Sequence, residues 1–591
     1  MQAVNVRRMA HLRKLLKYLR PYTKECVLGP LFKLIEATLE LLVPLVMAAI
    51  IDRGIGTGNK TFIVQRAGLL GLLGVLGLCC ALVAQYYAAK ASVGAVARMR
   101  SALFAHIQRL SYGTLDRVSA PTLVTRMTSD LDQVRSGLNL VLRLLLRSPF
   151  VVFGAMIMAF TLDVKAALVF VVVIPLLAVA VFGIMLPCIP LYKKVQTRLD
   201  RVLEHTRENL TGVRVIRAFR KEQSEIRAFD ADNEALTGAQ NFVGRIGALL
   251  DPLTYVLING ALLVLLWTGA LRVEAGVLSQ GVVVALYNYM SQILVELIKL
   301  ANLIITVTKS IACGNRVQAI LDLPATDPAP VQEKKALSAV PGAPRVAFDH
   351  VTLRYHEGSA PALDDITLSV GAGETLGIIG GTSAGKTSLV NLIPHFYEAT
   401  SGRVLIDGTD VRDIPTDALR VRIGVVPQQA VLFRGTVRDN LQWGDMTASD
   451  EVLWQALEAA QARAVVEDKP GGLDFMIEQG GRNLSGGQRQ RLTIARALVR
   501  RPDILLLDDS AAALDQATEA ALRHALRHLP NDPTILVISQ RIASVRGADR
   551  IAVLEDGRLV GLGTHDELLS DCPVYAEIAH AQLPKEVQAH G

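Results

Sequence analysis

Apolar positions are distributed unevenly along the chain. Before about residue 310 they gather into six long runs, at about 27–51, 67–88, 140–162, 166–187, 248–271 and 280–309. A helix crossing a bilayer needs roughly 20 mostly apolar residues, so each run is long enough to span. The links between the first and second, third and fourth, and fifth and sixth runs are short. The other two, about 89–139 and 188–247, are long and carry charged helical sequence such as "RLDRVLEHTRENLTGVRVIRAFRKEQSEIRAF". If the basic N-terminus stays in the cytoplasm, the short loops fall outside and the long segments inside. The pattern therefore predicts helices that continue well beyond the bilayer into the cytoplasm.

Polar residues inside the runs add detail. Gly68, Gly71, Gly74 and Gly77 recur every third position on the second run, a spacing expected to allow close helix packing. Asn288, Gln292, Glu296 and Lys299 follow at four, four and three, which puts them on one helix face. Such a face turns to a bundle interior or an aqueous cavity. It reads either as a helix–helix seam or as a substrate-facing stripe, with Glu296 and Lys299 placed to neutralise each other in part. Glu36 and Glu40 are four apart near Lys33 on the first run, and a cavity or portal position is one reading of them. Pro252 removes a backbone donor at the entry to the fifth run and predicts a kink there.

After the sixth run, "LPATDPAPVQEKKALSAVPGAP" breaks the pattern and reads as a linker. Short β-like runs ("RVAFDHVTLRY", "ITLSV", "ETLGIIG") then alternate with helical ones, which argues an α/β domain on a largely parallel sheet. The expected fold is a multidomain membrane protein: a six-helix all-α transmembrane domain with long cytoplasmic helix extensions, followed by an α/β P-loop nucleotide-binding domain. The expected layout is a cytoplasmic interfacial elbow helix over 1–24, the transmembrane domain with two intracellular loops over 25–320, a linker over 321–344 and the nucleotide-binding domain over 345–585.

Composition agrees with this division. The 591 residues are too many for one core. Hydrophobic residues make up 51%, and the mean hydropathy of +0.34 lies between soluble and wholly intramembrane chains. The net charge of +7 requires no nucleic-acid partner. Its most visible cluster is "VRRMAHLRKLLKYLRPY", an amphipathic pattern suited to the cytoplasmic face of a bilayer and lacking a signal-peptide cleavage pattern. The six cysteines are scattered, with no disulfide framework or metal spacing, and are expected to be buried thiols.

The stretch "GGTSAGKT", Gly380 to Thr387, fits G-x-x-x-x-G-K-[ST]. It follows the apolar strand "TLGII" and opens the helix "TSLVNLI", the context that motif requires. Gly380, Gly381, Thr382, Ser383, Ala384 and Gly385 would wrap phosphates with backbone N–H groups. Lys386 would reach the terminal phosphates, Thr387 would ligate Mg2+, and Ser388 continues the loop into the helix.

"LSGGQRQRLTIARAL", from Leu484, together with this loop and "ILLLDD", resembles the ATP-binding-cassette family. The resemblance covers essentially the whole chain and is to an exporter-type half-transporter. It implies roles at matching positions. Tyr355 in "LRYHEG" would stack on adenine. Gln428 in "VVPQQAVLF" would sense Mg2+ and couple to the membrane helices. Ser485, Gly486, Gly487 and Gln488 would contact the γ-phosphate of ATP held by a second cassette. Asp508 would attend Mg2+, and Asp515 in "AALD" would lie in the loop that crosses between cassettes. In this family two cassettes sandwich two ATP molecules, and each site takes its phosphate loop from one chain and its signature from the other. The turns "SYGTLDRVSAP" and "RAFRKEQSE" resemble the cytoplasmic tips that dock on cassettes.

Two positions depart from the family pattern. Asp509 stands where a glutamate usually polarises the attacking water. Aspartate is one methylene shorter, and a misplacement of roughly 1 Å costs on the order of 10²-fold in rate. Gln540 stands where a histidine usually faces the γ-phosphate, and an amide cannot become a cation or move a proton at neutral pH. The signature carries no such change. The resemblance is therefore to the degenerate-site subunit of heterodimeric bacterial multidrug exporters. It implies ATP and Mg2+ as cofactors, and as partners a second, different half-transporter chain, the lipid bilayer and a hydrophobic or amphiphilic small molecule. It also implies a multi-pass place in the cytoplasmic membrane of a bacterium, with both termini cytoplasmic. The alternative is a homodimeric or regulatory ATP-binding membrane protein with little or no pumping.

Overall fold

The structure is a computed structural model and describes residues 14–324, 340–356 and 358–582. Residues 1–13 of the expected elbow and 325–339 of the expected linker lie outside the described residues. The chain divides into two compact units, Met1–Gln108 with Ser119–Pro324, and Arg109–Val118 with Ala325–Gly591.

The first unit is helical. Six helices among the described residues are long and apolar enough to cross a membrane: Leu16–Ile55, Lys60–Ile107, Ala120–Leu162, Val164–Ala218, Glu222–Glu274 and Gln280–Leu321. The second has 48 residues and the fourth 55, or about 72 and 82 Å at 1.5 Å per residue. A hydrocarbon core of about 30 Å accounts for less than half of either, so both continue far into water. The fifth helix is interrupted at Leu249, between Glu222–Ala248 and Leu250–Glu274. Pro252 has no N–H to offer the Ala248 carbonyl, and the interruption falls at that missing bond.

Packing corrects one expectation. A Cβ added at Gly68, Gly71, Gly74 or Gly77 would meet nothing within 4 Å, so among the described residues this stripe packs against no other helix. The core of the unit lies elsewhere, around Ala155, Ala159, Phe170, Leu265, Tyr289 and Ile293, all fully buried. Small residues on the third helix bring it close to its neighbours there, and the Tyr289 hydroxyl reaches the Leu41 carbonyl at 2.6 Å.

Of the sixth-helix stripe, Glu296 and Lys299 join a polar seam, while Asn288 donates to the Val284 carbonyl of its own helix at 3.0 Å and Gln292 Oε1 is buried without a partner among the described residues. Arg147, on the third helix, is 6% exposed and bonds Glu296 of the sixth helix and Glu40 of the first, the latter at 2.5 Å. Ser148 and Lys299 both donate to Glu296, at 2.7 Å and 2.9 Å. Lys33 closes on Glu36 at 2.6 Å. The pairing of Glu296 with Lys299 is as expected, but the principal cation is Arg147, which the sequence reading did not single out. Its signal was present: an arginine within an apolar run demands a carboxylate.

The second unit is α/β. Six strands, β3 (Thr375–Gly380), β6 (Ile423–Val426), β9 (Ile504–Asp508), β10 (Thr534–Ile538), β11 (Arg550–Glu555) and β12 (Arg558–Gly563), form one sheet in the order β12-β11-β3-β10-β9-β6, and β7 (Gly435–Thr436) pairs with β8 (Met476–Ile477) apart from it. All neighbours in the six-stranded sheet pair in parallel except β12 with β11. All five residues of β9 are buried, as expected for a central parallel strand covered on both faces. An antiparallel sheet adds β1 (Val346–Leu353), β2 (Leu363–Val370), β4 (Ser401–Ile406) and β5 (Thr409–Asp410) in the order β2-β1-β4-β5.

Candidate nucleotide site

Strand register builds the site. Ile378 of β3 lies opposite Ile538 of β10, and Ile538 lies opposite Asp508 of β9. Val426 of β6 lies opposite Leu507, one residue earlier. β3 ends on Gly380, Asp509 follows β9 directly, and Gln540 and Gln428 lie two residues beyond β10 and β6, so all four are delivered together at the carboxyl edge of the sheet. Open α/β sheets bind ligands at this edge.

The phosphate loop starts there. Gly385 has φ +94, and a Cβ on it would lie 2.5 Å from the Ala362 carbonyl oxygen, so only glycine fits. The helix Lys386–Asn391 follows, with its first N–H groups open to the loop. Lys386 is 8% exposed, and its ammonium donates to the carbonyls of Gly380 at 2.9 Å and Gly381 at 2.6 Å. Burial lowers its pKa, and the nearby carboxylates of Asp509 and Asp508 partly offset that. Asp508 is also 8% exposed. Burial raises its pKa, while the hydroxyl of Thr387, donating at 3.1 Å, pulls it back.

A cavity of about 350 Å³ joins these groups. Thr382, Ser383, Ala384, Gly385, Lys386, Thr387 and Ser388 form one wall, Gln428, Asp508, Asp509 and Gln540 the other, and Tyr355 stands at the rim. The Tyr355 hydroxyl bonds Ser388 Oγ at 2.8 Å, and its ring meets Tyr397 edge-on with centroids 5.2 Å apart. Nearly half exposed, that ring offers a face for stacking. The donor set suits a magnesium ion: Thr387, Asp508 and Gln428 line the cavity with hard oxygen atoms that would hold it, and the backbone N–H groups of the loop would face the phosphates.

The signature lies outside this cavity. Ser485 caps the helix Gly486–Val499. Its hydroxyl accepts from the Gln488 N–H at 3.3 Å, and the Gln488 amide accepts from the Ser485 N–H at 3.0 Å. This capping box holds Ser485, Gly486, Gly487 and Gln488 as a rigid tip. Asp515 caps the helix Gln516–Arg527 through the Thr518 N–H at 2.9 Å, a bond that also lowers its pKa. The structure thus separates the predicted residues into two sets, one around the cavity and one on the signature side.

A second cavity, of about 360 Å³, is lined by Tyr112, Phe396, Phe433, Trp443, Arg496 and Arg500 among others. Tyr112 opens the short helix Tyr112–Val118, which belongs to this unit by its contacts. Its ring stacks on Phe396 with centroids 4.3 Å apart, and Tyr397 donates to Asp116 at 2.5 Å. Phe219, in the turn "RAFRKEQSE", is 72% exposed.

Comparison with known proteins agrees with the two halves. The ABC transporter transmembrane region matches residues 26–297, and the ABC transporter cassette matches residues 363–512. An uncharacterised ABC transporter ATP-binding protein of Mycobacterium tuberculosis is 37% identical over 571 residues, 96% of this chain and 97% of its own. The chain belongs to the ABC transporter family. Its transmembrane and cassette halves make it an exporter-type half-transporter, a membrane protein with an ATPase domain. Two other ABC relatives extend the comparison. The YfiB ABC transporter ATP-binding protein of Bacillus subtilis is 35% identical over 97% of this chain and 99% of its own. The ATP-dependent lipid A-core flippase of Desulfotalea psychrophila is 33% identical over 80% of this chain and 81% of its own.

Proposed function

We propose that this ABC half-transporter is the degenerate-site subunit of a heterodimeric exporter in the cytoplasmic membrane of a bacterium, with both termini in the cytoplasm. Its own site binds Mg·ATP and turns it over poorly. Its signature completes the competent site of a second, different chain. The observation that carries this reading is the presence of Asp509 and Gln540 beside Lys386 in one cavity, set against an unaltered "LSGGQ". Phosphoryl transfer depends on positioning and charge stabilisation. Asp508, Thr387 and Lys386 retain those functions for binding. Asp509 falls short of the attacking water, and Gln540 carries no charge for the γ-phosphate.

Two identical impaired sites would leave this signature with no competent site to serve, which favours a heterodimer. The cargo is a hydrophobic or amphiphilic small molecule. A relative named for flipping lipid A-core supports including lipid-like molecules in that class. Gln428 and the two cytoplasmic turns transmit cassette closure to the membrane helices, and Mg2+ held by Thr387, Gln428 and Asp508 offsets phosphate charge.

Binding and turnover separate in one experiment. The purified chain binds Mg·ATP, and Lys386→Ala weakens that binding at least about tenfold by removing the cation beside the terminal phosphates. Equal ATP affinity in the two proteins would remove the phosphate loop from the account.

A further inference from the structure

The helix Pro573–Gln582 ends the described part of the cassette unit. Tyr575 and Ala579 are fully buried and seat it in a small core with Ile379, Ile542, Val545 and Ile551. Ile379 belongs to β3, which feeds the phosphate loop, and Ile542 begins the short helix just after Gln540. The Tyr575 ring is fixed further by a 2.6 Å hydrogen bond between its hydroxyl and His565 Nδ1.

From this anchored helix the side-chain amide of Gln582 reaches the loop after β10 at two points. Its Nε2 donates to the Gln540 carbonyl at 2.7 Å, and its Oε1 accepts from the Ile542 N–H at 2.9 Å. A group that donates to one residue and accepts from the second one along pairs with the backbone as a parallel strand does. Arg541, between the two bonds, is extended, with φ −99° and ψ 126°. Its guanidinium donates to the Ala512 carbonyl at 3.2 Å and lies 3.9 Å from buried Glu519. Ala512 and Glu519 flank Asp515. A three-residue segment is thus clamped by the C-terminal helix on one side and tied to the Asp515 loop on the other, and its first member, Gln540, lines the nucleotide cavity.

We propose that Gln582 is a positioning residue of the nucleotide site. By holding the backbone on both sides of Arg541 it fixes the Gln540 amide where a γ-phosphate lies, so the C-terminal helix sets how well the site distinguishes a nucleoside triphosphate from a diphosphate. The inference rests on the reading of this cavity as the ATP site and goes beyond it by assigning that discrimination to a residue 42 positions away.

The test measures ATP and ADP dissociation constants of the full chain in detergent micelles, for the wild type, Gln582→Ala and Gln582→Glu. Gln582 is exposed, so neither change opens a core cavity. Gln582→Ala removes both bonds and weakens ATP about fivefold to tenfold, leaving ADP within about twofold. Gln582→Glu keeps an acceptor for Ile542 but sets a carboxylate against the Gln540 carbonyl, and lowers the ATP preference at least as much. Hydrogen exchange at the Ile542 amide rises in the alanine variant and stays slow in the glutamate variant. An unchanged ATP-to-ADP ratio in both variants, or an equal weakening of both nucleotides, overturns the assignment. A wild-type chain that binds neither nucleotide overturns the underlying site reading instead, and does so before any substitution is made.

Discussion

Ser485→Ala removes nearly all ATP hydrolysis by the assembled pair, and Asp509→Ala leaves most of it. The asymmetry follows from which site each residue serves. Ser485 caps the N-terminus of Gly486–Val499, outside its own chain's cavity, and in the proposed pair it would meet the γ-phosphate held by the partner. Loss of one preorganised donor at developing charge costs about 10²–10³-fold in turnover. Asp509 lies in the site proposed to turn over slowly, so its removal is expected to change the pair's rate less than about threefold on the same scale of barrier arithmetic. Ser485→Asp keeps a capping acceptor but has no hydroxyl donor, and so separates loss of the γ-phosphate contact from loss of the helix cap, which is worth about 1 kcal/mol. Steady-state hydrolysis of the co-purified pair checks this. A pair silenced by Asp509→Ala but tolerant of Ser485→Ala would place the competent site in this chain.

Arg147→Ala carries the largest expected effect on stability. The guanidinium is buried between three helices and serves two carboxylates, of which Glu296 has a side chain 4% exposed. Removing one partner of a buried pair strands the other charge and costs about 3–5 kcal/mol. Lys299 bonds the same carboxylate from a side chain 41% exposed, and Lys299→Ala costs less than about 1 kcal/mol. Thermal unfolding of the detergent-solubilised chain resolves the difference. Equal, small shifts for both variants would show that the cluster is well hydrated and would restore the substrate-facing reading of the sixth-helix stripe.

These two cases mark what a sequence can and cannot carry. The apolar runs were legible because bilayer thickness dictates their length, and the phosphate loop because glycine is required wherever backbone must approach a ligand. The cavity around Asp508 was legible only through resemblance. What brings Gln540 and Gln428 to it is the register of four parallel strands, in which Ile378, Ile538 and Asp508 share one row. The Arg147 seam was half legible, since Glu296 and Lys299 lie three apart on one helix while Arg147 and Glu40 come from two others. The glycine stripe meets no neighbour among the described residues, because spacing permits close packing without supplying a partner. Gln582 gave no signal at all. A glutamine near the end of a chain is ordinary, and only the fold brings its amide to the loop beside Gln540.

The central claim, that this chain's own site binds ATP but is impaired in hydrolysis, is tested most directly by the turnover of the purified chain without a partner. The account predicts Mg·ATP binding with hydrolysis well below one per second, while adding the partner chain brings the pair into the common enzyme range of roughly 1–10³ s⁻¹. Turnover in that range from this chain alone would contradict it.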